Sequence, residues 1–128
     1  MSSPSVSISE TGDVTVVAVP DGCMLDSDAI QQVGKQLFDL VEKDGKQRLV
    51  IDFSQVRFMS SQALGVLLTL RRKAEKSGAT IALAAINEKL MRVFEITNLD
   101  KMFTFCASRD EALAHFGAAS AGGRGGES

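Results

Sequence analysis

Residues 57–68 have the sequence RFMSSQALGVLL, in which two adjacent serines stand at the start of a strongly apolar run. Shortly before it, residues 49–53 are apolar except for Asp52, which is typical of a strand covered on both faces of a sheet. The serines therefore fall just beyond the carboxyl end of a strand and at the amino terminus of a helix. Binding sites in open α/β sheets usually form there, so we expect the function to lie at this turn.

The pattern on either side of this stretch predicts alternating strands and helices. A hairpin with Gly12 in its turn comes first, and Gly45 and Gly78 are placed to end the first two helices. The predicted strands are residues 6–8, 14–19, 49–53, 80–85 and 102–105, and the predicted helices begin at Asp26 or Ser27, at Ser61, at Asn87 and at Ser108. This order implies an α/β fold with a mostly parallel or mixed sheet and right-handed crossovers.

Composition excludes several classes of function. The 128 residues fit one domain, and the net charge of −2 with a pI near 5.4 argues against direct nucleic-acid binding. There is neither an apolar run long enough to span a membrane nor a signal-peptide pattern, so we expect a cytoplasmic protein without membrane insertion. A basic cluster, Arg71, Arg72, Lys73 and Lys76, is expected to be a solvated helix face, with a docking surface for an acidic partner as the alternative.

Catalytic and metal-binding motifs are missing from the sequence. Cys23 and Cys106 lie far apart and there is one histidine, so we expect reduced, partly buried thiols, with neither a disulfide framework nor a metal site. A nucleophile and base formed by Cys106 and His115 lacks an evident third orienting group. Neither a dinucleotide fingerprint nor a P-loop is present. We therefore expect no enzymatic activity, no cofactor and no metal.

The two serines are predicted to play different roles. If Ser60 is the N-cap, Met59 and Leu64 occupy the two positions of a hydrophobic staple, and Ser61 is the first helical residue. A hydroxyl on the first turn is a suitable phosphoacceptor, because the helix dipole and free N–H groups favour a phosphate there. A plain structural interpretation, in which both serines only satisfy helix-end amides, stays open.

The apolar run that follows suggests a surface for another molecule. Gly65 inside a helix costs about 1 kcal/mol relative to Ala, which suggests that either the sheet or a visiting partner packs closely against the first turn. The apolar residues between 63 and 70 cover more of the helix than one core-facing stripe requires. We therefore expect some of them to face outward as a docking surface.

At these residues the sequence resembles the STAS domain of anti-sigma factor antagonists. The resemblance is carried by residues 50–53, the turn at 59–66 and the later patterns at 78–83 and 93–96, and it extends over about residues 5–116. It implies a four- to five-stranded mixed sheet with helices mainly on one face, and no catalysis. It also implies reversible phosphorylation at the position of Ser61. The implied partners are an anti-sigma factor serine kinase of the histidine-kinase-like ATPase fold and a PP2C-type phosphatase.

The turn departs from the family pattern at three positions. The family often has Asp before the phosphoserine, Ser or Thr after it and then Gly, where this chain has Ser60, Gln62 and Ala63. We expect these changes to alter what a kinase or phosphatase touches, and Ser60 to be an alternate phosphoacceptor. The candidate partner contacts are Ser60, Gln62, Leu64, Val66 and Leu68.

The predicted STAS domain covers residues 5–117, between a flexible N-terminus at 1–4 and a tail at 118–128 rich in Gly, Ser and Ala that we expect to be disordered. The leading hypothesis is a regulator that switches partners under control of serine phosphorylation. The alternatives are a phosphorylation-independent STAS scaffold or transporter-associated subunit and, from another class, a small nucleotide-binding α/β domain or enzyme.

Overall fold

The computed structural model describes residues 7–19 and 27–116. These ranges form β1 (Ser7–Thr11), β2 (Val14–Ala18), α1 (Ser27–Glu42), β3 (Arg48–Asp52), α2 (Ser61–Ser77), β4 (Thr80–Ala84), α3 (Glu88–Ile96), β5 (Thr104–Cys106) and α4 (Arg109–His115). The predicted termini at 1–4 and 118–128, together with Asp26 and Cys23, lie outside the described residues.

One mixed sheet contains the five strands of the described ranges, in the order β1-β2-β3-β4-β5. The first two strands form the predicted antiparallel hairpin, in which Gly12 has φ of +60°, and every later pairing is parallel. The fifth strand was predicted at 102–105 and this placement was wrong, because Met102 and Phe103 belong to the preceding turn. There the Met102 carbonyl accepts a hydrogen bond from Arg71 Nε instead of joining the ladder.

Of the four helices in the described ranges, three cover one face of the sheet and one covers the other, so the helices lie mainly on one face as predicted. Parallel strands that follow one another in sequence order, joined by right-handed crossovers, place all the connecting helices on the same face. The larger core on that face includes Ile30 and Leu37 of α1, Leu67 and Leu70 of α2, and Phe94 of α3. Since α4 connects no strands, it folds onto the opposite face, where Ala112 and Leu113 pack on Val16, Val50 and Ala82.

A glycine lets α1 and α2 approach closely. A Cβ atom added to Gly34 would lie only 3.0 Å from Cγ1 of Val66, so a larger residue would fit only if the Val66 side chain shifted by a few tenths of an ångström. Beside this contact, Lys73 Nζ lies 2.8 Å from Glu42 Oε2 and 5.2 Å from the centroid of the Phe38 ring. Lys73 of the predicted basic cluster therefore links α2 to α1 and does not belong to a purely solvated face.

The α4 face is held by an ion pair at the carboxyl end of β3, between the buried Asp52 and Arg109, whose side chain is 44% exposed. The Asp52 carboxylate, 6% exposed, accepts hydrogen bonds from Ser54 N–H at 2.8 Å and from Arg109 Nε and Nη2 at 3.1 and 2.8 Å. Burial alone would raise the pKa of Asp52, but the hydrogen bonds from Ser54 and the Arg109 guanidinium outweigh it and hold that pKa below its ordinary value. The pair therefore fastens the first residue of α4 to the central strand.

We predict that Asp52→Asn lowers stability and flattens its dependence on acid. At pH 7 the free energy of unfolding should fall by about 1–3 kcal/mol, because Arg109 loses a charged acceptor. A carboxyl whose pKa is lowered by folding stabilises the fold above its unfolded pKa of about 3.9, and this contribution disappears as pH falls through the folded value. Urea denaturation between about pH 7 and 2 should therefore show a shallower decline for the variant than for the wild type.

Asp13→Asn is the matched control, since Asp13 pairs with Arg48 at 3.2 Å but its side chain is 83% exposed. Exposed pairs contribute little to stability, so this variant should resemble the wild type at pH 7. Equal losses in the two variants would contradict the structural role of the Asp52–Arg109 pair.

Candidate functional site

The two serines at the start of α2 have separate structural roles. Ser60 is the N-cap with φ −82° and ψ 165°, and its Oγ accepts a hydrogen bond from Ala63 N–H at 3.1 Å. Ser61 is the first residue of the helix, and it is exposed. The predicted cap is thus confirmed, and the cap does not use the Ser61 hydroxyl.

The expected hydrophobic staple has its two side chains in the core. Met59 and Leu64 are half-buried, and both pack against the large core beneath α2. An apolar residue before the cap and one at the fourth helical position together fix the angle at which the chain enters the helix. The orientation of the serine turn is therefore set by burial on both sides of the cap.

The loop between β3 and α2 is tied to the start of α3. Asn87 Nδ2 lies 3.3 Å from the carbonyl oxygens of both Val56 and Arg57 and donates to them, while its Oδ1 accepts from Leu90 N–H at 2.8 Å and caps α3. Val56 also donates its N–H to the Phe53 carbonyl at 2.9 Å. One asparagine thus starts a helix and holds the loop that presents the serine turn.

The structure places the predicted partner contacts in different environments. Gln62 is exposed, whereas Leu64, Val66 and Leu68 are each half-buried. Leu64 packs on the core and Val66 meets α1 at Gly34, so part of the apolar excess of α2 is used within the chain. Helix α2 has apolar residues on the side that faces the sheet and on the side that faces α1. Its apolar surface is therefore wider than packing on the sheet alone would require.

Ala63 does not change the surface of the turn. Its side chain is fully buried in the core. The expectation that its added methyl group alters what a kinase or phosphatase touches was therefore wrong, because the third helical position points at the sheet. The other two departures from the family pattern are at the surface, since Gln62 is exposed and Ser60 is partly exposed.

Gly65 faces open space. Among residues 7–19 and 27–116, no heavy atom outside the nearby helix backbone lies within 4 Å of a Cβ atom built there. The alternative in which the sheet packs closely against this glycine is therefore wrong. Since the described part of the chain does not pack on this glycine, a visiting partner is the alternative that stays open.

One exposed aromatic residue beside the turn was missed by the sequence reasoning. Phe58 is 51% exposed, and Lys89 Nζ of α3 lies 5.2 Å from the centroid of its ring. The sequence gives no signal for this exposure, because Phe58 follows the buried Val56 by two residues, a spacing that places both side chains on one side of an extended chain.

Cys106 and His115 do not form a catalytic pair in this arrangement. Burial, together with the nearby Glu111 carboxylate, raises the pKa of the Cys106 thiol above its ordinary value, which disfavours the reactive thiolate. The His115 ring lies on exposed α4, 5.2 Å from that of Phe116. Within residues 7–19 and 27–116, no cluster of three or more His, Cys, Asp or Glu residues could hold a metal ion. In the same ranges, no helix combines the length and apolarity needed to cross a membrane.

Comparison with known proteins agrees with the fold. The sequence model of the STAS domain matches residues 5–112. The chain belongs to the STAS domain family. A protein of Thermotoga maritima provisionally named an anti-sigma factor antagonist is 32% identical over 79 residues, which cover 62% of this chain and 70% of that protein.

Two solved structures extend the similarity over most of the STAS domain. The crystal structure of a provisionally named anti-sigma factor antagonist from Thermotoga maritima has a TM-score of 0.78 and 25% identity, covering 86% of this chain and 92% of that one. An anti-sigma factor antagonist from Mycobacterium paratuberculosis has a TM-score of 0.70 and 28% identity, covering 86% and 91%. The STAS fold predicted from the serine turn is therefore confirmed.

We predict that alanine substitutions separate the two serines by stability. Ser60→Ala removes the acceptor for Ala63 N–H and should lower the free energy of unfolding by about 1 kcal/mol. Ser61→Ala should change it by only a few tenths of a kcal/mol, because the cap does not use its hydroxyl. Thermal and urea denaturation of the two single variants measures the difference. A larger loss for Ser61→Ala than for Ser60→Ala would contradict this assignment.

Proposed function

We propose that the protein is an anti-sigma factor antagonist that switches partners when Ser61 is phosphorylated. The observation that carries the proposal is the division of roles at the turn: Ser60 caps α2 through its Oγ, and Ser61 is exposed on the first turn. A phosphate on Ser61 leaves the cap intact. The STAS fold and the names of its relatives supply the class of function.

The position of Ser61 makes a phosphate acceptable to the folded chain. Backbone N–H groups and the positive end of the helix dipole lie at the first turn, and both favour an anion. The same group adds a charge of about −1.5 to −2 to the surface. When a partner covers the turn, this charge is desolvated or meets acidic groups, and a penalty of about 3 kcal/mol corresponds to a more than hundredfold loss of affinity.

The proposed partner is a serine kinase of the histidine-kinase-like ATPase fold that also acts as the anti-sigma factor. It binds the unphosphorylated protein in the cytoplasm and transfers the γ-phosphoryl group of ATP to Ser61 Oγ, and a PP2C-type phosphatase removes it. Ser60, Gln62, Leu64, Val66 and Leu68 are the proposed contacts around the turn. Gln62 is exposed beside Ser61, and the half-buried Leu64 and Leu68 follow Ser61 by three and seven residues, the spacing of one side of a helix.

We predict that Ser61→Asp weakens binding to the cognate kinase about a hundredfold, because it places a negative charge on the covered turn. The melting temperature should hardly change, since an acidic residue in the first helical turn is tolerated by the dipole. Titration calorimetry with the purified kinase measures the affinity, and Ser61→Ala, which adds no charge, serves as the control. Equal affinities for wild type and Ser61→Asp would contradict the switch.

Mass analysis after incubation with the kinase and ATP assigns the phosphoacceptor. We expect the phosphate on Ser61, because the Ser60 hydroxyl is partly buried and occupied by the cap. A phosphate on Ser60 would assign the switch to the alternate serine. An unmodified peptide would favour a phosphorylation-independent STAS scaffold or transporter-associated subunit, an alternative supported by Ser60 standing where the family often has Asp.

Gly65→Ala tests whether a partner packs against the first turn of α2. A methyl group there meets no side chain of the described residues, so the substitution should raise the free energy of unfolding by about 0.5–1 kcal/mol through helix propensity. If the partner approaches the backbone at this glycine, the same substitution weakens binding. We therefore expect a more stable protein with a severalfold higher Kd, measured by urea denaturation and calorimetry. Unchanged affinity would show that the partner does not pack closely on Gly65.

A further inference from the structure

Apolar and basic side chains form one surface that starts beside the serine turn and continues along α3. Phe58 precedes Ser61 by three residues, so their Cα atoms are at most about 11 Å apart. Lys89 lies against the exposed Phe58 ring. Val93 and Ile96 follow Lys89 by four and seven residues, the spacing that places side chains on one side of a helix. Ile96 is 73% exposed, the largest exposed fraction among the large apolar residues of the described ranges.

The cations of α3 lie closer to Ile96 than its carboxylates do. With about 100° of rotation per residue, Arg92 and Lys89 lie on either side of Ile96, within roughly 40° of it around the axis. The carboxylates of Glu88 and Glu95 lie roughly 80–100° from Ile96, beyond Arg92 on the same side. All four of these charged residues are exposed. Phe58, Lys89, Arg92, Val93 and Ile96 are named the α3 stripe.

The cations of the α3 stripe are available to another molecule. Among the described residues, the salt bridges involve other cations, and neither Lys89 nor Arg92 pairs with a carboxylate. Arg57, which is exposed next to Phe58, likewise has no such partner in these ranges. Three unpaired positive charges therefore surround two exposed apolar side chains on a chain whose net charge is −2.

We propose that the α3 stripe is the docking surface for an acidic segment of a protein partner that inserts a large apolar side chain between Phe58 and Ile96. The apolar contact supplies the buried area, and the cations select the acidic segment and speed its encounter. This inference rests on the proposed function, because it names the chemistry of the partner at the same turn. It also explains the effect of the modification, since a phosphate on Ser61 offsets most of the local positive charge and repels acidic groups.

The test is a photocrosslink from the α3 stripe in the full chain. The photoreactive residue p-benzoyl-L-phenylalanine replaces Ile96, the protein is expressed and irradiated in its native host, and the adduct peptide is sequenced by mass spectrometry. The double variant Lys89→Glu/Arg92→Glu should reduce adduct yield at least tenfold. It should still fold, because Glu at the second position of α3 suits the helix dipole. The variant Lys89→Gln/Arg92→Gln removes the two charges without reversing them and gives a milder version of the same test. Thermal melting checks that it is folded.

The matched control is Lys35→Glu/Lys43→Glu, which makes the same charge change at two exposed lysines on and just after α1. Adduct yield should stay within twofold in this variant. A crosslinked peptide rich in Asp and Glu, lost only on reversal of the stripe charges, supports the proposal. Crosslinking to a second copy of this chain, to lipid or to a peptide without acidic residues overturns it. An adduct yield that does not change when Lys89 and Arg92 are reversed also overturns it, and so does the lack of any adduct.

Ser61→Asp in the crosslinking protein separates this inference from the proposed function. An adduct that persists in Ser61→Asp but is lost on reversal of Lys89 and Arg92 supports the stripe and contradicts the switch. An adduct that is lost in Ser61→Asp but survives the reversal supports the switch and overturns the stripe. If adduct yield falls only when the charges of Arg72 and Lys76 are reversed, the acidic partner is assigned to the basic cluster of α2.

Discussion

The hydrogen bond from Ala63 N–H to Ser60 Oγ marks the start of α2, and the buried side chains that follow hold the helix in the same register. With the helix starting at Ser61, residues Ala63, Leu67 and Leu70 are fully buried against the sheet. Removing one buried leucine costs about 2–5 kcal/mol, against about 1 kcal/mol for the cap, so the core contributes most to this register. The same register leaves Ser61 and Gly65 exposed, so cap, core and candidate site depend on one helix register.

The rigidity of the turn comes from the neighbouring helix. Asn87 begins α3 and also holds the carbonyls of Val56 and Arg57, so the starts of α2 and α3 are joined through one side chain. A partner that covers the serine turn therefore meets α3 as part of the same surface. The contact of Lys89 with Phe58 continues this connection on the exterior. The two helices present one composite face, although they are separated in sequence by a strand.

The sequence was most informative where structure depends on neighbours along the chain. The cap at Ser60, the end of α2 at Gly78 and the Asn87 cap are all local patterns, and they could be predicted together with the α/β order and the family resemblance. Contacts between distant segments could not be predicted in the same way. The approach of Gly34 to Val66 shows this, because nothing in the sequence of α2 indicates that the side carrying Val66 packs against α1.

The site was predicted in its residues but not in their orientation. Burial of Ala63 and the open space at Gly65 depend on the height of α2 above the sheet, which residues in β3 and β4 determine. The error at β5 has a similar origin: residues 102–103 are apolar enough for a strand, yet a side chain from α2 takes the Met102 carbonyl. The α3 stripe was not predicted from the sequence. A short helix that carries both positively and negatively charged residues resembles an ordinary solvated surface until the neighbours of each residue are known.

The buried Asp52 carboxylate and the charges proposed to regulate binding lie on opposite faces of the sheet. The Asp52 carboxylate is paired with Arg109 on the α4 face, where its hydrogen bonds hold its pKa below the ordinary value. Ser61, Lys89 and Arg92 belong to helices on the other face, with the apolar core between the two sets. A negative charge added at Ser61 is therefore separated from the Asp52–Arg109 pair by the sheet. This separation allows a surface charge to change partner affinity while the folded state keeps its stability.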